Sequence, residues 1–225
     1  MKTNPLTSTL TQLTQYRFVN AYLVREDDGL TLVDTTMGRG AADGIVAAAV
    51  AAGAPIRRIA LTHGHGDHVG GLDALKARLG DAVEVLMPEP DARIHAGEQV
   101  VEGKVPGSWP KLQTRPDTLL HEGDRVGSLE VVAAPGHTPG HVAFLDTRDR
   151  TLIAGDVFTT YGRPSVTDHF YWRFPFAAMA TWDKAADRAS AAKLRALEPS
   201  LVVVGHGPAL RDPDRALASA LATGA

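Results

Sequence analysis

The segment His63-Gly64-His65-Gly66-Asp67-His68 packs three imidazoles and a carboxylate into the pattern H-x-H-x-D-H. Folding alone asks for no such cluster. Before it, Ile59-Ala60-Leu61-Thr62 is apolar and partly β-branched, and reads as a buried strand. After it, Leu72, Leu75 and Leu79 recur at helical spacing. The glycines at 64, 66, 70 and 71 extend neither a strand nor a helix well. They allow a tight loop that aims all four donor side chains at one place. The cluster therefore sits between a strand end and a helix start, where layered α/β folds hold their ligands.

Metal chemistry favours two ions over one. A zinc site takes four ligands, and a catalytic one keeps a position for water. His63 and His65, two residues apart, can share one ion, while Asp67 and His68 serve a neighbour. A loop this short cannot wrap all four donors around a single ion. The competing reading is a solvated, metal-scavenging tract, the ordinary fate of a lone histidine. Four donors in one tight loop outweigh it.

Composition narrows the rest. A chain of 225 residues can bury a full core as a single domain over 1–225, whether as one unit or as a fused pair of similar halves. A net charge of −3 leaves no basic footprint, which argues against a nucleic-acid partner; the partner expected is a small-molecule substrate. Cysteine is absent, so thiolate zinc sites, disulfides and thiol nucleophiles are excluded. Neither a secretion signal nor an apolar run long enough to span a bilayer is visible, which predicts a cytoplasmic protein without membrane attachment.

The pattern predicts strands at 9–16, 18–25 and 30–34, the last two joined by an Asp27-Asp28-Gly29 turn. A helix follows over 40–52, then strand 57–62, helix 71–79, a short strand at 83–86 and a short helix at 88–95. Residues 97–118 carry Gly and Pro without period and read as a surface loop. Strands return at 124–126, 129–133, 142–146 and 151–154. A loop over 157–176, a long helix over 177–196, a strand at 201–204 and a helix at 212–222 complete the chain. Leu30–Asp34 echoes Thr151–Asp156, and Ile59–His63 echoes Val202–His206. Two such halves would stack sheet on sheet with helices outside, a four-layer αββα sandwich of the α/β class.

Three later segments repeat one grammar: an apolar strand, a glycine turn, then a donor. They end in His137, Asp156 and His206. The full set of His63, His65, Asp67, His68, His137, Asp156 and His206 resembles the metallo-β-lactamase-fold hydrolases, on the glyoxalase II-like and lactonase-like branch. All the metal motifs stand in the family's order, and the likeness covers nearly the whole chain. It implies that His63, His65 and His137 hold one divalent ion, that Asp67, His68 and His206 hold a second, and that Asp156 bridges them. Zinc is the first expectation, with manganese and iron accepted by the same donors. Asp34 matches the family's first motif, a buried carboxylate behind the metal loop. His141 accompanies the third motif, either in that supporting shell or as a cap; His95 and His121 read as surface or structural.

Two such ions would lower the pKa of a shared water and polarise a carbonyl, so that a hydroxide held between them attacks. Asp67 would orient it and carry a proton to the leaving group. Zinc β-lactamases generally lack an aspartate like Asp156, flavodiiron proteins carry glutamate where His65 stands, and long glyoxalase II enzymes extend beyond the last histidine. The expectation is a hydrolase of an ester-like bond, a lactone or carboxylic ester first. A short glyoxalase II-type thioesterase or a persulfide-dioxygenase-like enzyme with one iron is the alternative. The substrate clue lies in the aromatic run after Asp156: Phe158, Tyr171, Trp172 and Phe174, with His169 beside them. It reads equally as an apolar wall for an acyl chain or lactone ring, or as a homodimer interface or simple core packing. Lactonases similar to this chain place a tyrosine after the bridging aspartate to contact the carbonyl oxygen. Tyr161 is the counterpart, at a longer spacing.

Overall fold

Successive side chains on a strand point to opposite faces, and here both faces of the central strands are apolar, so each sheet must be covered twice. Leu23, Leu32 and Ile59 face one way and Tyr22, Val33 and Ala60 the other. The computed structural model describes residues 1–223 and shows how this is met.

The first sheet has seven strands in chain order: β1 (Lys2–Pro5), β2 (Leu10–Gln15), β3 (Val19–Glu26), β4 (Gly29–Val33), β5 (Ile56–Ala60), β6 (Glu84–Pro88) and β7 (Thr118–Leu120). Pairing is antiparallel from β1 to β4 and parallel from β4 to β7. Parallel neighbours need crossovers. These carry α1 (Ala41–Ala52), α2 (Gly66–Val69) with α3 (Leu72–Leu79), and α4 (Glu89–His95). The second sheet runs β14-β11-β10-β9-β8, from β8 (Arg125–Val126), β9 (Leu129–Ala133), β10 (Val142–Asp146), β11 (Thr151–Ile153) and β14 (Leu201–Val203). Its one parallel pair, β11 with β14, is bridged through a small hairpin, β12 (Phe158–Thr159) and β13 (Ser165–Val166), then α5 (Pro175–Ala180) and α6 (Lys184–Ala196). Helix α7 (Pro213–Ala222) follows.

Three apolar clusters separate four layers. Ile45 and Leu75 of α1 and α3 pack on Leu32 and Ile59. Tyr22, Val33 and Leu86 meet Val131, Phe144 and Val203 between the sheets. Leu194 and Leu217 of α6 and α7 cover Leu152 and Val202. The order is α, β, β, α, as the strand pattern implies. The internal echo is also topological: β4 lies parallel to β5, and β11 parallel to β14.

Several local expectations need correction. Strand β1 is exposed along its whole length and has no apolar alternation to reveal it; backbone pairing with β2 alone makes it a strand. Strand β7 begins where the long irregular segment ends. The helix expected over 177–196 breaks at 181–183, because the Asp183 side chain accepts from the N–H groups of Ala185 and Ala186 and starts a new helix. Among the described residues no helix is long and apolar enough to cross a membrane.

Candidate metal centre

The strands of both sheets deliver donors to one edge of the sandwich. Asp34 follows β4, the H-x-H-x-D-H loop follows β5, His137 follows β9, Asp156 follows β11, and His206 follows β14. Donor atoms of His63, His65 and His137 lie within 4.8 Å of one another, as do those of Asp67, His68 and His206, and of His63, His68 and Asp156.

Acceptors behind the rings decide how each imidazole carries its hydrogen. Thr62 Oγ1 gives its hydrogen to Asp34 at 2.8 Å, so it accepts from His63 Nδ1 at 3.0 Å. The single hydrogen of Thr181 Oγ1 is taken up by the Thr167 and Ala177 carbonyls, each 2.9 Å away, so the oxygen accepts from His137 Nδ1 at 3.0 Å. His68 Nδ1 donates to Asp34 at 2.8 Å, His206 Nδ1 to the Phe18 carbonyl at 3.0 Å, and His65 Nε2 to the Pro106 carbonyl at 3.1 Å. Each ring is thereby left with a bare lone pair on the nitrogen that faces inward.

Those inward atoms fit cations. His65 Nδ1 and His137 Nε2 face each other at 3.1 Å, a repulsive contact between lone pairs unless positive charge lies between them. His63 Nε2, His68 Nε2 and Asp156 Oδ1 are buried without any hydrogen-bond partner. Asp156 stands 3.1 Å from His206, 3.5 Å from His68 and 3.6 Å from His137, and Asp67 stands 3.2 Å from His206. Two donors on one tetrahedral zinc are separated by about 3.4 Å. Seven side chains without a thiolate suit zinc, manganese or iron.

Electrostatics point the same way. Burial holds His63 and His137 well below the ordinary imidazole value, with neighbouring rings adding to the effect. His68 and His206 are equally buried, yet Asp156 and the other carboxylates push His68 well up and His206 to about 9. Asp67 and Asp156 stay ionised against their burial because His68 and His206 face them. The site concentrates negative charge and calls for positive charge, as protons or as metal.

Asp34 pays a conformational cost, with φ of 62°, where a non-glycine residue is strained. Hydrogen bonds from Thr62 N, Thr62 Oγ1 and His68 Nδ1 hold it there. His141 belongs to the same support: its Nε2 accepts from the Asp156 N–H at 2.9 Å, and burial pushes its pKa down to about 3.

Sequence reasoning missed Asp91, which reads as an ordinary acid in the first turn of α4. It is fully buried and accepts from Gly64 N, Thr138 Oγ1 and Gly140 N at 2.7–2.8 Å. One carboxylate thus ties the loop of His63 and His65 to the loop of His137. Burial pushes it up from 3.8 to about 6. A raised value in the fold means that its stabilising contribution is full below about pH 4 and lost as pH rises through about 6, by up to roughly 3 kcal/mol. Thermal melts of the metal-free protein are therefore expected to show wild type losing ground to Asp91→Asn between about pH 4 and pH 7. Parallel melting profiles would contradict this account.

A cavity of about 610 Å³ opens onto the donors. His65, Asp67, His137, Asp156 and His206 form its floor, and Phe18, Met37, Phe174, Phe176 and Met179 one wall. Of the expected aromatic residues, Phe174 lines it and lies against the His206 ring, 4.9 Å between centroids. Tyr171 packs behind Phe174 with Phe18. The others require correction. Phe158 is a core residue, because β12 turns it into the cluster under α6. Trp172 is 71% exposed beside Arg173, and His169 pairs with Asp168 at 2.7 Å outside the cavity. Tyr161 packs on Phe18 and Phe174 but is not among the lining residues. Its spacing after Asp156 carries the ring around the β12–β13 turn and away from the floor.

Comparison with known proteins agrees with this geometry. A family model described as the metallo-beta-lactamase superfamily matches residues 15–206. YobT of Bacillus subtilis is 42% identical over 209 residues, covering 90% of this chain and 89% of that protein. A hydroxyacylglutathione hydrolase of Rhodospirillum rubrum is 33% identical over 73% of this chain, which spans 54% of the enzyme's length. Among solved structures, the di-iron-bound form of TTHA1623 shares 29% identity at a TM-score of 0.67, covering 93% of this chain and 95% of that one. A metallo-beta-lactamase from Pontibacter korlensis superposes over 99% of both chains with a TM-score of 0.74 at 18% identity, a likeness of fold. The matched span contains every donor from His63 to His206, on strand ends of an αββα sandwich, and the chain belongs to the metallo-β-lactamase superfamily.

Proposed function

We propose that this protein is a hydrolase using two divalent metal ions to cleave an ester-like bond, a lactone or carboxylic ester with an apolar, uncharged acyl part. One observation carries the reading: each of five imidazoles is locked from behind into the tautomer that turns a lone pair toward Asp67 and Asp156. His63, His65 and His137 would hold one ion and Asp67, His68 and His206 the other, with Asp156 between them. Bound there, the ions would supply a water-derived nucleophile at neutral pH and polarise the carbonyl oxygen. The di-iron form of TTHA1623 supports a count of two.

The remaining work falls to the chain. Asp67 has the most open carboxylate of the set, at 30% exposure, and lines the cavity. It orients the attacking water and passes its proton to the leaving oxygen. Phe18, Phe174, Phe176 and Met179 receive the acyl part and exclude water from the floor. Among the described residues the lining carries no lysine or arginine, which favours an uncharged acyl part.

The hydroxyacylglutathione hydrolase relative favours a second reading, a thioester substrate. Its glutathione part carries two carboxylates, which the lining does not match. A panel of lactones, aryl esters, a glutathione thioester and a cephalosporin, run on protein of known metal content, separates these readings. The expected result is two metal equivalents per chain, hydrolysis of lactones or apolar esters, and loss of activity to a chelator with recovery on adding metal. Faster turnover of the glutathione thioester would install the second reading. One iron per chain with oxygen uptake would defeat both.

A further inference from the structure

The segment 105–110 lies in the stretch expected to be a plain surface loop, yet it is bonded to the floor of the cavity. The Pro106 carbonyl accepts from His65 Nε2 at 3.1 Å and from the Trp109 indole N–H at 2.9 Å. A carbonyl oxygen has two lone pairs, and both are used. Ser108 accepts from Gly66 N at 2.8 Å through its backbone carbonyl. Trp109 packs edge-on against His65, ring centroids 5.2 Å apart, and also lies 5.2 Å from His95. His95 in turn stands between the two loops, its Nε2 2.8 Å from the Gly64 carbonyl and its Nδ1 3.1 Å from the Pro110 carbonyl.

Two glycines make room for this contact. Gly107 has φ of +88°, and a Cβ there would stand 2.3 Å from His65 Nε2. A Cβ on Gly64 would meet the Trp109 ring at 2.4 Å. The close fit is therefore specified on both sides, by Gly107 in the segment and by Gly64 in the metal loop.

We propose that residues 105–110 form a strap that sets the tautomer and orientation of His65, with Trp109 and His95 as its positioning residues. Among the five inward-facing rings, His65 alone takes its rear acceptor from this irregular segment. The other acceptors are Thr62, Asp34, Thr181 and Phe18. Loosening the strap frees His65 to carry its hydrogen on Nδ1, which removes the lone pair it turns toward His137. The set of His63, His65 and His137 would then lose one donor for its ion, while the set of Asp67, His68 and His206 would keep all of its own. Gly107, Ser108 and Pro110 also line the cavity, so the same segment shapes the substrate wall.

This inference rests on the reading of His65 as a metal donor, and its test separates the two. Imidazole nitrogen–proton correlation spectra of the metal-free protein report the His65 tautomer without any ion. Wild type is expected in the Nε2–H form, and Trp109→Ala and Gly107→Ala in a mixture or in the Nδ1–H form. Titrating Co²⁺ into each metal-free protein should give two equivalents for wild type. For the variants it should give one unchanged equivalent and one weakened about 10- to 100-fold, the range for changes behind a ligand. Trp109→Phe, which keeps an aromatic ring of smaller size and removes the indole N–H, should fall between and stands in if the larger changes prevent folding. A merely structural strap would lower the melting temperature and leave the tautomer and the ratio of the two affinities untouched; that result overturns the proposal, as does an Nδ1–H tautomer in wild type. Wild type that binds no Co²⁺ would instead defeat the proposed function, while the spectra still decide the strap.

Discussion

Asp156→Ala is expected to remove both metal ions and with them the hydrolysis. Asp156 lies within 3.6 Å of donors from both sets, reaching His137 on one side and His68 and His206 on the other. Its carboxylate also sustains the raised pKa of His68 and His206. Without it the two sets would lose the donor placed between them and one of the three carboxylates, with Asp34 and Asp67, that face His68. Changes one shell behind a ligand lower affinity by about 10- to 100-fold, so loss of a donor common to both ions should exceed about 100-fold for each. His206→Ala should instead deplete one ion. Equilibrium dialysis with metal analysis distinguishes the two variants, and an Asp156→Ala protein that keeps two tightly held equivalents would remove Asp156 from the centre.

Gly136→Ala should produce the largest loss of stability. Gly136 precedes His137 with φ of +140°, a conformation essentially confined to glycine. An added Cβ would stand 2.1 Å from the Asp187 backbone nitrogen, where helix α6 cannot withdraw without losing its cap. The Gly136 carbonyl accepts from Asp183 N at 2.9 Å, so the strain passes directly into that cap. Backbone strain together with a clash against backbone should cost on the order of 4 kcal/mol, which for a chain of this size lowers the melting temperature by roughly 10 °C. A melt within about 2 °C of wild type would show that the His137 turn is free to adjust.

The side chains that the fold gathers at one edge were legible in the sequence because a cluster of potential donors shows in residue type and order. The H-x-H-x-D-H loop cannot be explained by helix or strand period, and His137, Asp156 and His206 each close an apolar strand with a glycine turn. The layers were legible for a related reason. Strands apolar on both faces, with amphipathic helices between them, have few ways to bury themselves. The exposed strand β1 was not, since its residues carry no apolar alternation and only backbone pairing defines it. The aromatic run after Asp156 misled for the opposite reason. Phe158, Trp172 and Phe174 are similar in type, but a turn of backbone sends one to the core, one to solvent and one to the cavity.

Residue identity and spacing by themselves determined which potential donors gather at one edge and which sheets form, because both depend on chemistry that a short segment displays. The tertiary structure alone decided which groups stand behind the ligands. Asp91, Thr181, Trp109 and the Pro106 carbonyl come from α4, the break before α6 and an aperiodic loop, and nothing local marks them. A hydrogen bond to the far nitrogen of an imidazole needs only an acceptor at the right point in space. Many residue types, and any backbone carbonyl, supply one equally well. That freedom leaves no signature along the chain, and the fold settles it by bringing distant segments to within about 3 Å of a ring.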